Sequence, residues 1–201
     1  MKEINALGLV CPLPVIETKK AMRENNEETM FRILVDNEVA TQNLAKMAEA
    51  LHMQASVEKR APREYAVTIA RDENAQAAET FDETQYAMGG ASYVVVVKSD
   101  VISDGDPAFS KSLLEGFLYA LTEQDVLPKA VIFYNRGVFN TTKNEKVIED
   151  MRGLEAKGVE ILSCGLCLGN YKLKEDLQVG TITNMYRIVE LMRENHVVTP
   201  C

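Results

Sequence analysis

The run Tyr93-Val94-Val95-Val96-Val97 leaves water no polar face to meet. A strand of that composition must be covered on both sides, as in a parallel sheet sandwiched between helices. The chain beyond it alternates in keeping. Asp106-Pro107 is a helix-start pair, Leu113, Leu114, Phe117, Leu118 and Leu121 fall on one face, and Leu127-Pro128 is expected to stop that helix. Ala130-Val131-Ile132-Phe133-Tyr134 reads as the next strand, and a helix presenting Val147, Ile148, Met151 and Leu154 is expected to end at Gly158. Val159 to Ser163 gives a third strand. A last helix at 184–194 carries Met185, Ile188, Val189 and Met192, and Val197-Val198-Thr199-Pro200-Cys201 fits an edge strand. Strands separated by helices imply right-handed crossovers, so residues 93–201 read as a parallel-sheet α/β domain.

Ahead of that run the charge is unevenly spread. Residues 1–71 hold ten basic and ten acidic residues, whereas residues 72–92 hold five acidic and none basic. With few large apolar side chains, the acidic stretch buries too little surface to offset its ordering entropy, so 72–92 is expected to be a linker. Residues 1–71 show their own pattern. A strand at Glu3 to Leu7 leads through Gly8 to a helix from Pro12 to Arg23, and Met30 to Val35 alternates as a strand. Asp36 is expected to cap a second helix with Ala40, Leu44, Met47 and Leu51 as its stripe. Gln54 to Lys59 and Tyr65 to Ala70 then form a hairpin around Arg60-Ala61-Pro62-Arg63. The result is a two-layer βαβαββ sandwich.

A net charge of −8, a pI near 4.9 and the lack of any basic stretch argue against a nucleic-acid or anionic-membrane partner. No apolar run reaches transmembrane length and Met1-Lys2-Glu3-Ile4-Asn5 has no signal-peptide core, so a cytoplasmic location is expected. Cysteines in that reducing setting point to chemistry more than to disulfides. His52 and His196 lie in unrelated contexts and make poor partners for a cysteine nucleophile. Gly89-Gly90 precedes a strand instead of following one, so it reads as a hinge and not as a phosphate-binding loop. The methionines at 47, 151, 185 and 192 have core spacing.

Two thiol sites remain. Cys11 stands just before Pro12 and Pro14 at a helix start, where free N–H groups and the positive helix end would favour a thiolate. Cys164-Gly165-Leu166-Cys167 follows the third parallel strand, at the edge where α/β sheets bind ligands. The loops Lys98 to Asp106 and Asn135-Arg136-Gly137-Val138 reach the same edge. A CxxC serves redox thiols and zinc sites alike. Zinc needs four ligands, and Cys11, Cys201, His52 and His196 show no second paired spacing, so no metal is assigned. A thiol-switched interaction module, a CxxC oxidoreductase and a structural buried pair stay open.

Leu7-Gly8 followed by Cys11-Pro12-Leu13-Pro14 resembles the TusA (SirA-like) family of sulfur carriers, whose CPxP cysteine bears a persulfide received from a cysteine desulfurase. Pro128 to Gly137, Gly158 to Gly165 and Val179 to Tyr186 look like the DsrE-like domain of the YedF family, sulfurtransferase-like proteins linked to selenium metabolism. Where related loops often continue to Tyr-Gly, this chain has Tyr171-Lys172. The resemblance implies a relay of sulfur or selenium. Cys11 would accept the cargo, Cys164 would receive it with Cys167 as the resolving thiol, and Pro12, Pro14, Asn135 and Gly165 would shape the binding surfaces. It implies no cofactor, a cysteine desulfurase or other persulfide donor as partner, and a downstream acceptor protein. A homo-oligomer would let the transfer run between subunits.

Overall fold

Strand β1 (Lys2–Asn5) leads to helix α1 (Leu13–Glu24), β2 (Met30–Val35), α2 (Glu38–Ala50) and the hairpin β3 (Gln54–Ala61) and β4 (Glu64–Ala70). The computed structural model describes residues 1–71 and 92–200, leaving aside the side chain of Ala50, and these group into two compact units. The acidic stretch with Gly89-Gly90, and Cys201, lie outside the described residues.

In the first unit the sheet order is β1-β2-β4-β3, with β1 parallel to β2 and the other pairs antiparallel. Phe31, Ile33 and Val35 point to the helix side and are fully buried, as the alternation predicts. Two details differ from the sequence reading. The α2 cap is Asn37, whose Oδ1 accepts the Ala40 N–H at 2.8 Å, while Asp36 instead accepts from the Asn37 amide. Leu51 is also not on the buried stripe. The helix stops one residue earlier, and His52 in the left-handed region (φ 54) closes a Schellman turn through Met53 N–H to the Ala48 carbonyl. Ala48 fills the core in its place.

The second unit runs β5 (Tyr93–Val97), α3 (Pro107–Thr122), β6 (Ala130–Phe133), a 3-10 segment (Asn135–Thr141), α4 (Glu145–Ala156), β7 (Glu160–Cys164), α5 (Gly165–Asn170), a short 3-10 turn, β8 (Thr181–Thr183), α6 (Met185–Glu194) and β9 (His196–Val198). All five strands are parallel, in the order β8-β7-β6-β5-β9. The apolar run behaves as its composition requires. Val95 and Val97 join a core with Leu114, Leu118 and Met151 from α3 and α4, while Val94 and Val96 join another with Ile188 and Leu191 from α6. Asp106 caps α3 through the Phe109 N–H. That helix ends at Thr122, well before Pro128, because the Thr122 hydroxyl bonds back to the Tyr119 carbonyl and the Glu123 N–H to that of Ala120. The buried face is that of Leu114, Leu118 and Leu121, and Leu113 and Phe109 remain exposed. On α6, Met185 and Val189 also face outward, because the face that meets β5, β6 and β7 is the one carrying Ile188 and Leu191. The β8 strand carries too little apolar signal to be seen in the sequence. Among the described residues no helix is long and apolar enough to cross a membrane.

Between α3 and α4 the half-buried Asp150 carboxyl is pushed up to about 6 by burial, with Glu149, Glu115 and Glu123 adding to it. A carboxyl raised above its unfolded value adds stability below about pH 4, and that contribution is lost as the pH rises through 6. The shift would be worth up to about 3 kcal/mol in a dry site, and solvent screening at this half-exposed position cuts it to about 1 kcal/mol. Asp150→Asn should therefore raise stability at pH 7.5 by about 1 kcal/mol, with the gain vanishing near pH 4 in urea titrations.

Candidate functional site

At the start of α1 the chain has almost no backbone donors to offer. Pro12 and Pro14 have none, the Leu13 N–H donates to the Val10 carbonyl at 2.9 Å, and those of Val15 and Ile16 donate to Pro12. The free N–H groups expected beside the Cys11 sulfur are thus absent among the described residues. The donor that faces it comes from the neighbouring helix: Asn43 Nδ2 lies 3.8 Å from Cys11 Sγ. Cys11 is exposed. It opens on a cleft of about 20 Å³ lined by Pro12, Pro14, Val15, Val39, Ala40 and Asn43. Val10 (71% exposed) and Val39 (60% exposed) form an apolar rim around it. A space of this size holds about one small group beyond the sulfur.

In the second unit, β7 delivers Cys164 to the end of the sheet as the N-cap of α5, and Cys167 follows as the third residue of that helix. Cys164 is 1% exposed and packs among Val94, Ile132, Leu162 and Ile188, whereas Cys167 is half-buried. Cys164 lies close enough to bear on the ionisation of Cys167, and the Asn135 N–H donates to Cys167 Sγ at 3.0 Å. Burial pushes the Cys167 thiol up, its Cys164 neighbour adds to this, and the Asn135 N–H opposes it.

Asn135 is placed by a strained turn. Its φ is +51°, and its side-chain Oδ1 accepts the Tyr171 hydroxyl at 2.9 Å. Tyr171 stacks edge-on against Phe139, with ring centroids 5.1 Å apart, and Arg136 lies over Phe139 while gripping Asp100 with two hydrogen bonds of 2.7 and 2.6 Å. Burial acts to raise the Asp100 carboxyl, and Arg136 more than offsets it, leaving it below its usual range. Asn140 Nδ2 donates to the carbonyls of Ser99 and Gly137. The expected convergence of the Lys98 to Asp106 loop, the Asn135 turn and the CxxC at one edge is thus met within this unit.

Two glycines set how closely these parts approach. A Cβ on Gly137 would sit 2.0 Å from the Val97 carbonyl oxygen, and one on Gly165 would sit 2.7 Å from Ile182 Cγ2. Gly165 acts here through close packing against β8. The Tyr171-Lys172 departure lies in a turn that needs a left-handed residue. Lys172 takes the glycine-like conformation itself (φ 58) and completes a Schellman turn, with Leu173 N–H to the Leu168 carbonyl and those two leucines in contact.

Sequence reasoning passed over Asn43, Tyr171, Phe139 and Asn140. Asn43 did leave a signal, as a polar residue three after Ala40 and four before Met47, on the line of the buried stripe. The others are long-range partners with no local mark.

Gly137→Ala should destabilise the protein by about 3 kcal/mol in urea unfolding, since backbone lies against the new methyl, while Gly153→Ala, open on an exposed face of α4, should gain about 0.5–1 kcal/mol. Relieving the left-handed strain, Lys172→Gly should gain about 0.5–1 kcal/mol by the same measurement.

Comparison with known proteins places both units. The family model described as Sulfurtransferase TusA matches residues 2–71, and that of the DsrE/DsrF-like family matches residues 97–200, more than half of the chain. A protein of Methanocaldococcus jannaschii named as a sulfur carrier protein is 39% identical over 49 residues, 24% of this chain and 65% of that one. One of Archaeoglobus fulgidus with the same designation is 33% identical over 51 residues, 25% of this chain and 66% of that one. The chain therefore spans just under two thirds of the length of these relatives. The crystal structure of a SirA-like protein from Desulfitobacterium hafniense covers 36% of this chain and 100% of its own, at 43% identity and a TM-score of 0.34.

Proposed function

We propose that this chain, which belongs to the DsrE/DsrF-like family and carries a TusA-type unit ahead of that match, relays persulfide sulfur from Cys11 to the Cys164–Cys167 pair. The observation that carries the reading is the setting of Cys11. Its sulfur is exposed, open on a cleft with room for one further atom of sulfur's size, and ringed by Val10 and Val39, on which the face of a donor protein could rest.

The chemistry asked of each thiol is modest. Cys11 attacks the outer sulfur of a donor persulfide, the donor leaves as a thiolate, and the sulfane sulfur now rides on Cys11. The cysteine pair of the second unit repeats the same exchange. Pro12 and Pro14 fix the backbone that presents Cys11, and Asn135 serves Cys167 through its N–H. In this reading the donor is a cysteine desulfurase or another persulfide carrier, the sulfur ends on an acceptor protein, and the setting is the cytoplasm. The order of units is that of the YedF type, so selenium is the alternative cargo. A thiol switch is the second reading, favoured by the closeness of Cys164 and Cys167 at the start of α5.

Incubation with a desulfurase and cysteine should add one sulfur to the intact mass. That addition should vanish in Cys11→Ala and persist in Cys164→Ala, and normal loading of Cys11→Ala would end the carrier reading. Selenocysteine in place of cysteine tests the other cargo. Isotope-labelled sulfur on Cys11 should then reach the CxxC. Mixing Cys11→Ala chains with chains lacking both Cys164 and Cys167 tells transfer between subunits from transfer within one.

A further inference from the structure

We propose that Cys167 is the thiol that takes up sulfur in the second unit, and that Cys164 then resolves it, closing a disulfide and releasing hydrosulfide. This inverts the roles implied by the family resemblance. It rests on the carrier reading only for where the sulfur comes from; the chemistry itself needs any donor with a sulfane sulfur.

Access decides the first step. Thiol exchange demands that the attacking sulfur, the attacked sulfur and the leaving sulfur come into line, so the first nucleophile must be reachable by a bulky donor. Cys164 is 1% exposed and enclosed by Val94, Ile132, Leu162 and Ile188. Cys167 is partly open, beside Leu166, which is 82% exposed. Its sulfur also receives the Asn135 N–H at 3.0 Å, a contact that favours the anionic form.

Local geometry decides the second step. Cys164 is the N-cap of α5 and Cys167 stands three residues on, the relation that lets an N-cap side chain reach the N3 position in a capping box. The two cysteines are neighbours, Cys167 packing against the apolar cluster that holds Cys164. A sulfur carrier that only hands its cargo on needs one thiol. A second, buried at the N-cap of the same helix three residues back, gives the persulfide an internal reductant.

The steps balance. Cys167 thiolate attacks the outer sulfur of a persulfide R–S–SH; the Cys167–sulfur bond forms, the donor S–S bond breaks, and R–S⁻ leaves. Cys164 then attacks Cys167 Sγ, the inner sulfur of the new persulfide. The Cys164–Cys167 bond forms and the outer sulfur departs with its electron pair, taking the Cys164 proton to leave as hydrogen sulfide. The sulfane sulfur is reduced by two electrons and the two thiols are oxidised to one disulfide. An external dithiol reductant resets the pair.

The test uses the full chain carrying Cys11→Ala, which removes the first carrier, reduced and then treated with glutathione persulfide. Stoichiometric hydrosulfide and loss of two hydrogens from the intact mass are expected. Adding Cys164→Ala, or Cys164→Ser should the alanine variant not fold, should abolish hydrosulfide release above that of a chain lacking both thiols and leave one extra sulfur on Cys167. Adding Cys167→Ala should abolish uptake. Sulfur retained on Cys164 in the Cys167→Ala chain, or undiminished hydrosulfide from either variant, overturns the proposal. An independent reading comes from the reduced Cys11→Ala chain under limiting iodoacetamide. Peptide mapping should find Cys167 alkylated before Cys164, and the reverse order refutes the assignment. Because the donor here bypasses Cys11, failure of the relay and failure of this step show up in different assays.

Discussion

The second unit depends on one constraint, that β5, β6 and β7 are apolar on both faces and must be covered twice. Val95 and Val97 go to the α3–α4 side and Val94 and Val96 to the α6 side, and the same division runs through Val131 against Ile132 and Ile161 against Leu162. Burial of such side chains is worth about 1.5–3 kcal/mol each, so neither layer of helices is dispensable. Parallel strands with helices on both faces bring their carboxyl ends to one edge. Cys164, the Asn135 turn and Asp100 therefore share a neighbourhood although more than sixty residues separate the first from the last.

The two thiol sites are built in opposite ways. Around Cys11 the prolines remove backbone donors, the sulfur is left on the surface, and its polar contact is a long one from Asn43. Around Cys167 the donor is a backbone N–H fixed by a chain of contacts through Tyr171, Phe139 and Arg136 to Asp100. An open thiol exchanges readily with a large partner. A thiol with a fixed donor and a buried neighbour controls what happens after the exchange.

Much of this could be read from the residues alone. The alternation of Phe31, Ile33 and Val35 and the unbroken Val94 to Val97 each name their strand, and Asp106-Pro107 and Gly158 bound their helices, because these signals are local. Misreadings arose where a neighbour in sequence competed for a role. Asn37 displaced Asp36 as cap, Thr122 stopped α3 ahead of Pro128, and Ile188 and Leu191 took the buried face of α6 that Met185 and Val189 were expected to share. In the site, both cysteine motifs and the loop edge were visible. What was hidden is tertiary: Asn43 reaches Cys11 across thirty-two residues and Tyr171 reaches Asn135 across thirty-six.

Gly137 carries a consequence for how such a site can change. With no space for even one carbon between it and the end of β5, the peptide that serves Cys167 is clamped to the sheet and inherits the sheet's rigidity. The surface at this edge is therefore open to revision through the outward side chains, such as Arg136 and Leu166, and closed to revision through the backbone: the paint can vary while the frame stays.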